Sequence, residues 1–419
     1  MAGIFTFLQL LITLSVAAAQ SESVINVSFE DLPKLIRERN RNVTGTAQFV
    51  GAAEVRTGHL LRSYLPTLKT AAGGEAFQTG PYSTMAQPYG EIEASINLYR
   101  GGKDLLEESI RTSHIQIAES NSKKIFLSEL TEARKTYWTL VFMHEMIAEL
   151  KEAVQQNEQN LAMANRRIER GLGTETDRLE FQIYHSQLEE EIESLQHGLK
   201  LVQIRFAALI GFDQDTQFKT IEKIIHEHDE AILATKYDPT THPDVNFAKA
   251  NYKIFSVQKS QANRWWTPSL DVYGGYFLYT LRDRDSLSQR DRFDLAGGIK
   301  LTFELFDGYQ SKTNANSFAL QAQGYEQLAT QRARTAGAQV EVAKEDLKHD
   351  HDLIHWAEQR IIQGKKYLDR TRDEYNRGVK NSIDVLGAAQ KYMAFKRQYA
   401  ERRRDFQITK SGLLALIEQ

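Results

Sequence analysis

The sequence predicts an α+β protein built from two copies of one unit, in which a β-hairpin is followed by two very long helices. Three observations lead to this prediction. Residues 207 positions apart repeat, all seven prolines lie outside 89–238 and 269–419, and apolar residues change from alternating to heptad spacing in each copy. Such a repeat indicates a duplicated unit. A proline-free span permits long helices, because proline costs about 3 kcal/mol inside a helix.

The repeat is clearest at two polar, glycine-bearing breaks in the helical pattern. Segment 170–177 begins with Arg-Gly and ends with Asp, and so does segment 377–384, which is 207 residues further on. Nearer the start of each copy the offset is 202, since Pro66 matches Pro268. Five residues are therefore gained in the second copy, and we place them in its β-hairpin and loop.

The repeat and the composition predict four parts. Residues 1–20 are a predicted secretory signal peptide, because an apolar centre is followed by an Ala-x-Ala end. Residues 21–211 are the first repeat, 212–238 a connecting segment that we expect at the equator of the helical part, and 239–419 the second repeat.

Composition excludes several classes of site. The chain has no Cys and a formal net charge of −3, so disulfides, thiolate metal sites and a general electrostatic attraction to nucleic acid are not expected. After residue 20 no run of about 18 apolar residues occurs, so no transmembrane helix is predicted. An exported chain can still enter a membrane as β-strands.

The first copy begins with a predicted helix over 28–64, capped by Ser28 and stopped by Pro66. A β-hairpin is predicted at about 67–99. In its second strand, Glu91–Leu98, apolar and polar residues alternate, which is typical of a strand with one apolar face.

The second hairpin is predicted at about 268–306, with clear alternation over 293–305 and a strongly charged loop over 282–292. Strands of about ten residues with one apolar face are typical of a membrane barrel. Aromatic residues stand where the aromatic girdles of such a barrel would lie. They are Tyr99, Trp265, Trp266, Phe306 and Tyr309. An ordinary soluble hairpin would show the same alternation, so the strands alone leave both readings open.

Long helices are predicted after Gly101-Gly102 and after Gly308, with breaks near 170–178 and 376–385. Apolar residues over 188–209 step alternately by four and three, which indicates a coiled-coil seam. A helix from Lys103 to Arg170 would be roughly 100 Å long. Only packing against other long helices would stabilise it.

One stretch has the composition of a metal site, namely His349-Asp-His-Asp-Leu-Ile-His355. His351 and His355 would lie one helical turn apart, which suits zinc. The sequence places no third ligand, so we interpret the stretch as a polar helix face and expect no metal, no cofactor and no catalytic residues.

These features together resemble the TolC-like outer-membrane efflux (outer membrane factor) family. The resemblance rests on the duplication, on Leu-Pro and Thr-Pro before the strands, and on Tyr-x-x-Gly-x-x-x-x-x-Asp at 375–384. It implies a homotrimer with a 12-stranded membrane β-barrel continued by a periplasmic α-helical barrel. It also implies contact with outer-membrane lipid, a periplasmic adaptor (membrane fusion) protein and an inner-membrane transporter, in a tripartite efflux or type I secretion system.

The resemblance also implies roles for the two breaks. They would form the periplasmic mouth, with Tyr375 hydrogen-bonded to Asp177, Lys380 reaching Thr176 or its helix, and Asp384 forming a ring of carboxylates. Gly387 stands where relatives can have a second Asp. Turn formation and adaptor docking are expected of Arg170, Gly171, Leu172, Arg377 and Gly378. The alternative is that the glycines and aspartates only make the turns between helices.

Two functions fit the sequence. One is a channel subunit of the bacterial outer membrane that extends into the periplasm. The other is a non-conducting periplasmic coiled-coil scaffold. Both explain export and long helices, but only the channel explains the strand pair before each pair of helices.

Overall fold

A computed structural model describes residues 24–78, 84–224, 230–282 and 289–418. The predicted signal peptide and residues 283–288 of the predicted hairpin loop lie outside the described residues. The chain forms two compact units, which we call the helical unit and the strand unit. The helical unit comprises Met1–Gly45, Lys124–Asp238 and Ala336–Gln419, and the strand unit comprises Thr46–Lys123 and Pro239–Thr335. Each unit takes residues from both sequence repeats.

The described elements follow one another in this order: β1 Val24–Val27, α1 Leu32–Arg39, α2 Arg41–Val55, α3 His59–Ser63, β2 Thr67–Gln78, β3 Thr84–Arg100, α4 Lys103–Glu169, α5 Glu175–Ile210, β4 Gln217–Thr220, α6 Glu230–Ala234, a short 3₁₀ helix Pro239–Thr241, α7 Pro243–Ala262, β5 Ser269–Arg282, β6 Gln289–Thr302, α8 Gln310–Asn376 and α9 Ser382–Ile417.

The long helices of the two copies have identical lengths. Helices α4 and α8 contain 67 residues each, and α5 and α9 contain 36 residues each. Their first residues are Lys103 and Gln310, then Glu175 and Ser382, and each pair is 207 residues apart. The breaks between the helices therefore occupy equivalent positions.

The first predicted helix is wrong in one respect, because 28–64 forms three helices instead of one. Asn40 adopts an extended conformation with φ −66° and ψ 120°. Its side-chain oxygen accepts hydrogen bonds from the amides of Asn42 and Val43, at 2.9 and 3.1 Å. Asn40 thus caps a new helix and ends the previous one. Gly58, with φ 73°, makes the second break.

Four strands of the strand unit form one antiparallel sheet in the order β2-β3-β5-β6. One face carries the apolar residues, as the alternation predicts, and it is open in a single chain. Leu68, Ile92, Leu295 and Ile299 are 75%, 53%, 83% and 72% exposed. Strands β2 and β6 each have a neighbour on one side only.

A second, two-stranded sheet joins β1 to β4 in parallel in the helical unit, with Val24 opposite Gln217 and Val27 opposite Thr220. It was not predicted. Each strand has four residues, which is too short for an alternation pattern to register.

The predicted coiled-coil seam lies inside the helical unit. Leu188 and Phe206 in α5 are 3% and 0% exposed, and Phe406 and Leu413 in α9 are 2% and 0% exposed. The polar seam residue Thr409 donates a hydrogen bond of 2.7 Å to the Asp350 carboxylate of α8, so its hydroxyl is satisfied. Among the described residues, no helix is both long and apolar enough to cross a membrane.

Candidate functional site

The two breaks between the long helices, which we call tip 1 (170–177) and tip 2 (377–384), form the candidate site. In tip 1, Gly171 has φ 71° and ends helix α4. The amide of Leu172 donates to the carbonyl of Arg167 at 2.8 Å, and that of Gly171 donates to Ile168 at 2.9 Å. This pair of bonds defines a Schellman motif, which requires a residue that tolerates positive φ.

Tip 2 ends helix α8 in the same way. Gly378 has φ 79°, the amide of Val379 donates to the carbonyl of Glu374 at 2.9 Å, and that of Gly378 donates to Tyr375 at 3.0 Å. Arg-Gly is therefore a helix C-terminal signal in both copies.

The aspartates start the next helices. In tip 1, Thr174 and Asp177 form a capping box, with the Thr174 amide 3.0 Å from the Asp177 carboxylate and the Asp177 amide 3.3 Å from the Thr174 hydroxyl. In tip 2, Asn381 and Asp384 form the corresponding pair at 3.3 and 3.0 Å. A capping box satisfies two amides that the first helical turn leaves unpaired. Both aspartates thus have a turn-forming role.

Asp177 also links the two tips. Its second carboxylate oxygen accepts a hydrogen bond from the amide of Ser382, at 3.3 Å. Burial alone would raise the pKa of Asp177, but hydrogen bonds from Ser382 and Thr174 outweigh that effect and hold the pKa below its ordinary value. The carboxylate is therefore ionised at neutral pH and remains an acceptor for tip 2.

Arg167 is the strongest connection between the tips, and sequence reasoning missed it. Its guanidinium donates to the carbonyls of Tyr375 and Leu172 and lies 4.3 Å from the centre of the Tyr375 ring. The equivalent position in the second copy is Glu374. Because the repeat is broken there, comparing the two copies gives no signal for Arg167.

Tyr375 does not form the predicted hydrogen bond with Asp177 within the chain. The side chain is 2% exposed and packs edge-on against Phe181, with ring centroids 6.1 Å apart. Its hydroxyl has no hydrogen-bond partner among the described residues. Burial raises the pKa of Tyr375, the nearby Asp177 raises it further, and Arg167 opposes both. The phenol is therefore neutral at physiological pH.

Lys380 does not reach Thr176 within the chain either. Its ammonium lies 3.8 Å from the Asp384 carboxylate, one helical turn away on the same tip. Both side chains are about two-fifths exposed, at 42% and 39%, so the attraction is weak and screened by solvent. Thr176 is exposed.

The outer surface of the tips is partly apolar. Leu172, Val379 and Ile383 are 69%, 72% and 61% exposed, and Arg170 and Arg377 are exposed beside them. Exposed apolar residues at the end of a long helical hairpin suit a protein contact. A side chain could extend freely at Gly387, since a Cβ there would meet nothing within 4 Å.

The histidine-rich stretch lies on helix α8, as predicted. His351 lies 3.8 Å from Asp352, and its ring centre is 6.5 Å from that of Phe406. In the part of the chain that the structure describes, no group of three or more His, Cys, Asp or Glu side chains could hold a metal ion.

Comparison with known proteins identifies the class of this fold. Solved structures superpose on nearly the whole chain. The outer membrane protein VceC of Vibrio cholerae matches with a TM-score of 0.73 and 16% identity, over 93% of this chain and 95% of that one. The CmeC outer membrane channel of Campylobacter jejuni matches at 0.72 and 15%, over 93% and 85%. The MtrE outer membrane channel of Neisseria gonorrhoeae matches at 0.71 and 15%, over 93% and 88%. The fold is that of an outer-membrane channel protein.

The sequence itself matches a family. The model of the outer membrane efflux protein family matches residues 240–418, which is the second copy of the unit. This half of the chain belongs to that family, and the family resemblance predicted from the motifs is confirmed. The outer membrane, the predicted location, is also the location that the family's description names. No curated protein matches the sequence.

Proposed function

We propose that this chain is the outer-membrane channel subunit of an export system. Three copies would form a 12-stranded β-barrel in the outer membrane, continued by a barrel of long helices in the periplasm. The observation that carries the proposal is the exposed apolar face of the four-stranded sheet, on which Leu295 and Ile299 are 83% and 72% exposed. A lipid environment would cover such a face, whereas water would not.

Aromatic residues near the sheet support the same environment. Tyr99, Trp266, Phe306 and Tyr309 are 47%, 61%, 68% and 67% exposed. Exposed aromatic rings of this kind collect at the boundary between lipid and water, where the ring is apolar and its edge is polar.

The number of strands requires more than one copy. One chain supplies four strands with two open edges, and open edges in lipid would leave backbone groups unpaired. The smallest membrane barrels have about eight strands, so one chain cannot close a barrel alone. The family resemblance selects three copies, and three times four strands gives twelve.

A non-conducting periplasmic scaffold is the second candidate. It would use the long helices and the buried seam equally well. It gives no reason for a sheet with one exposed apolar face, since a soluble sheet would turn Leu295 and Ile299 into a core. We therefore favour the channel.

The tips would form the periplasmic mouth of the channel, and they lie far along the helices from the strands in sequence. Asp384 would contribute one carboxylate from each copy to a ring that favours cations. Lys380, 3.8 Å away, would reduce the field of that ring. The open space at Gly387 leaves a second ring absent in this chain, so the mouth would be wider or less selective than one with two rings.

The partners follow from the family resemblance. The exposed apolar and arginine residues of the tips would dock a periplasmic adaptor, and an inner-membrane transporter would complete the system. Small-molecule efflux and type I secretion of proteins remain two possible uses of the same duct. Purifying the native complex and identifying its inner-membrane member would distinguish them.

Single-channel recording in planar bilayers tests the proposal. Purified protein should conduct, and Asp384→Ala should reduce both cation selectivity and block by multivalent cations, because the carboxylate ring is removed. The double variant Tyr375→Phe with Lys380→Ala should raise conductance if these residues hold the mouth closed in the assembly. A correctly assembled protein that never conducts would refute the channel. Unchanged conductance and selectivity in the variants would leave these residues as turn formers.

A further inference from the structure

The sheet contains one contact between the two sequence repeats, and that contact is a pattern for another. The last strand of the first repeat, β3, pairs with the first strand of the second repeat, β5. In this pairing Ile96 lies opposite Val272, and Ser95 lies opposite Tyr273.

The two hairpins have the same internal register, which makes the pattern transferable residue by residue. In the first hairpin Thr67 lies opposite Ser95, and in the second Ser269 lies opposite Thr302. The first members of these pairs are 202 residues apart and the second members 207. Strand β2 therefore corresponds to β5 at an offset of 202, and β3 corresponds to β6 at an offset of 207.

The second repeat has a segment without the partner that its counterpart has. In the first repeat, residues 96–100 pair with β5 alone, since the pairing of β3 with β2 stops at Ser95. The corresponding segment, 303–307, is not a strand and has no strand beside it in the described chain. Phe303, Leu305 and Phe306 there are 55%, 90% and 68% exposed.

We infer that β6 of one copy pairs with β2 of a second copy in the register that puts Phe303 opposite Thr70, Thr302 opposite Ala71 and Glu304 opposite Lys69. This rests on the proposed assembly of several copies into one barrel. The pairs are the equivalents of Ile96–Val272, Ser95–Tyr273 and Asn97–Asp271, shifted by 207 and 202 residues. Pairing extends strand β6 through residues 303–307.

The faces of the two strands agree with this register. Phe303 continues the apolar series of Ile299 and Leu301, and Thr70 lies opposite the apolar-face residue Ile92. Residues directly opposite each other in an antiparallel pair share a face. A slip of one residue would place Phe303 opposite Lys69 and turn a lysine into the apolar face, which costs several kcal/mol in lipid.

The charges agree as well. Lys69 lies opposite Glu93 in its own chain and would lie opposite Glu304 of the next copy. A lysine between two glutamates forms a favourable row across three strands. Lys69 and Glu304 are both exposed in the single chain, so both are available for this contact.

Disulfide formation tests the register, and the chain suits the test because it has no native Cys. Ala71→Cys would be combined in turn with Lys300→Cys, Thr302→Cys or Glu304→Cys, all on the polar face. The proposed register brings the Cα atoms of 71 and 302 to about 5 Å, within the range of a disulfide. In the two slipped pairs the Cα atoms are about 8 Å apart, which is too far.

A disulfide between these positions would join different copies. Strands β2 and β6 are the two edges of the sheet, separated by two other strands, so within one chain they are roughly 14 Å apart. Ser95→Cys with Tyr273→Cys is the matched positive control, because it is the equivalent pair inside the chain.

We expect oxidation of the assembled protein in membranes to give several-fold more cross-linked chain with 302 than with 300 or 304, up to a product of three chains. A maximum at 300 or 304 would refute the register. Absence of cross-linking in all three, with the 95–273 control oxidised, would refute the contact itself. Conductance separates this inference from the proposed function. A conducting protein with the wrong register sinks only the inference, and a ring cross-linked at 71 and 302 that does not conduct sinks only the channel.

Discussion

Replacing Arg167 with Ala should separate the two tips. Arg167 reaches from the end of α4 to the end of α8, where its guanidinium donates to the Tyr375 carbonyl and covers the Tyr375 ring at 4.3 Å. It also donates to Leu172 within its own tip, at 3.2 Å. Without it, the Asp177–Ser382 hydrogen bond is the remaining polar contact that the structure describes between the turns.

The expected size of the effect follows from these contacts. A hydrogen bond from a charged donor contributes about 1.5 kcal/mol and a cation–π contact about 0.5–1 kcal/mol. Arg167 is only half-buried, so solvent reduces these values, and about 2 kcal/mol is a reasonable net loss. Since 1.4 kcal/mol is a factor of ten, the separated state of the tips should become roughly 30-fold more populated.

Amide hydrogen exchange measures this population. Peptides covering 170–177 and 377–384 should exchange roughly 30-fold faster in Arg167→Ala. Arg166→Ala is the matched control, because Arg166 is exposed and donates to the carbonyl of Ala162 in its own helix. Equal exchange rates at the tips in Arg167→Ala, Arg166→Ala and the native protein would refute the idea that Arg167 holds the tips together.

Three further predictions concern other residues. Asn40→Ala should lower the free energy of unfolding by about 2–4 kcal/mol in urea titration, because Asn40 is 4% exposed and its amide donates to Glu129 and Leu209 while its oxygen caps α2. Since the pKa of Asp177 is lowered in the folded state, its contribution to the tips should be complete above about pH 4 and lost as the pH falls through the lowered value, so tip exchange corrected for intrinsic rates should not change between pH 7 and pH 5. Export in cells should persist after His351→Gln with His355→Gln, and stoichiometric metal in the native protein that the variant lacks would contradict that expectation.

The sequence predicts most of the fold because the fold is duplicated. The long helices and the apolar strand face are each written twice, and agreement between the copies separates signal from chance. The wrong helix over 28–64 has a local cause. Asn40 ends one helix and caps the next through bonds to Glu129 and Leu209, which lie 89 and 169 residues away, and no local pattern contains them.

The tips could be predicted only in part for a similar reason. Gly171, Gly378, Asp177 and Asp384 follow the rules for helix ends, so the turns were predictable. Arg167 acts through the fold, because a long-range approach brings it to Tyr375, and its counterpart is a glutamate. The capping boxes also explain why Asp177 uses its carboxylate on Thr174 and Ser382 and not on Tyr375.

The most direct test of the account is the mass of the complex extracted from outer membranes in detergent, measured by light scattering with correction for bound detergent. The account predicts a complex of three chains, because four strands with two open edges cannot close a barrel alone. A monomer recovered from the soluble periplasmic fraction would contradict both the barrel and the channel.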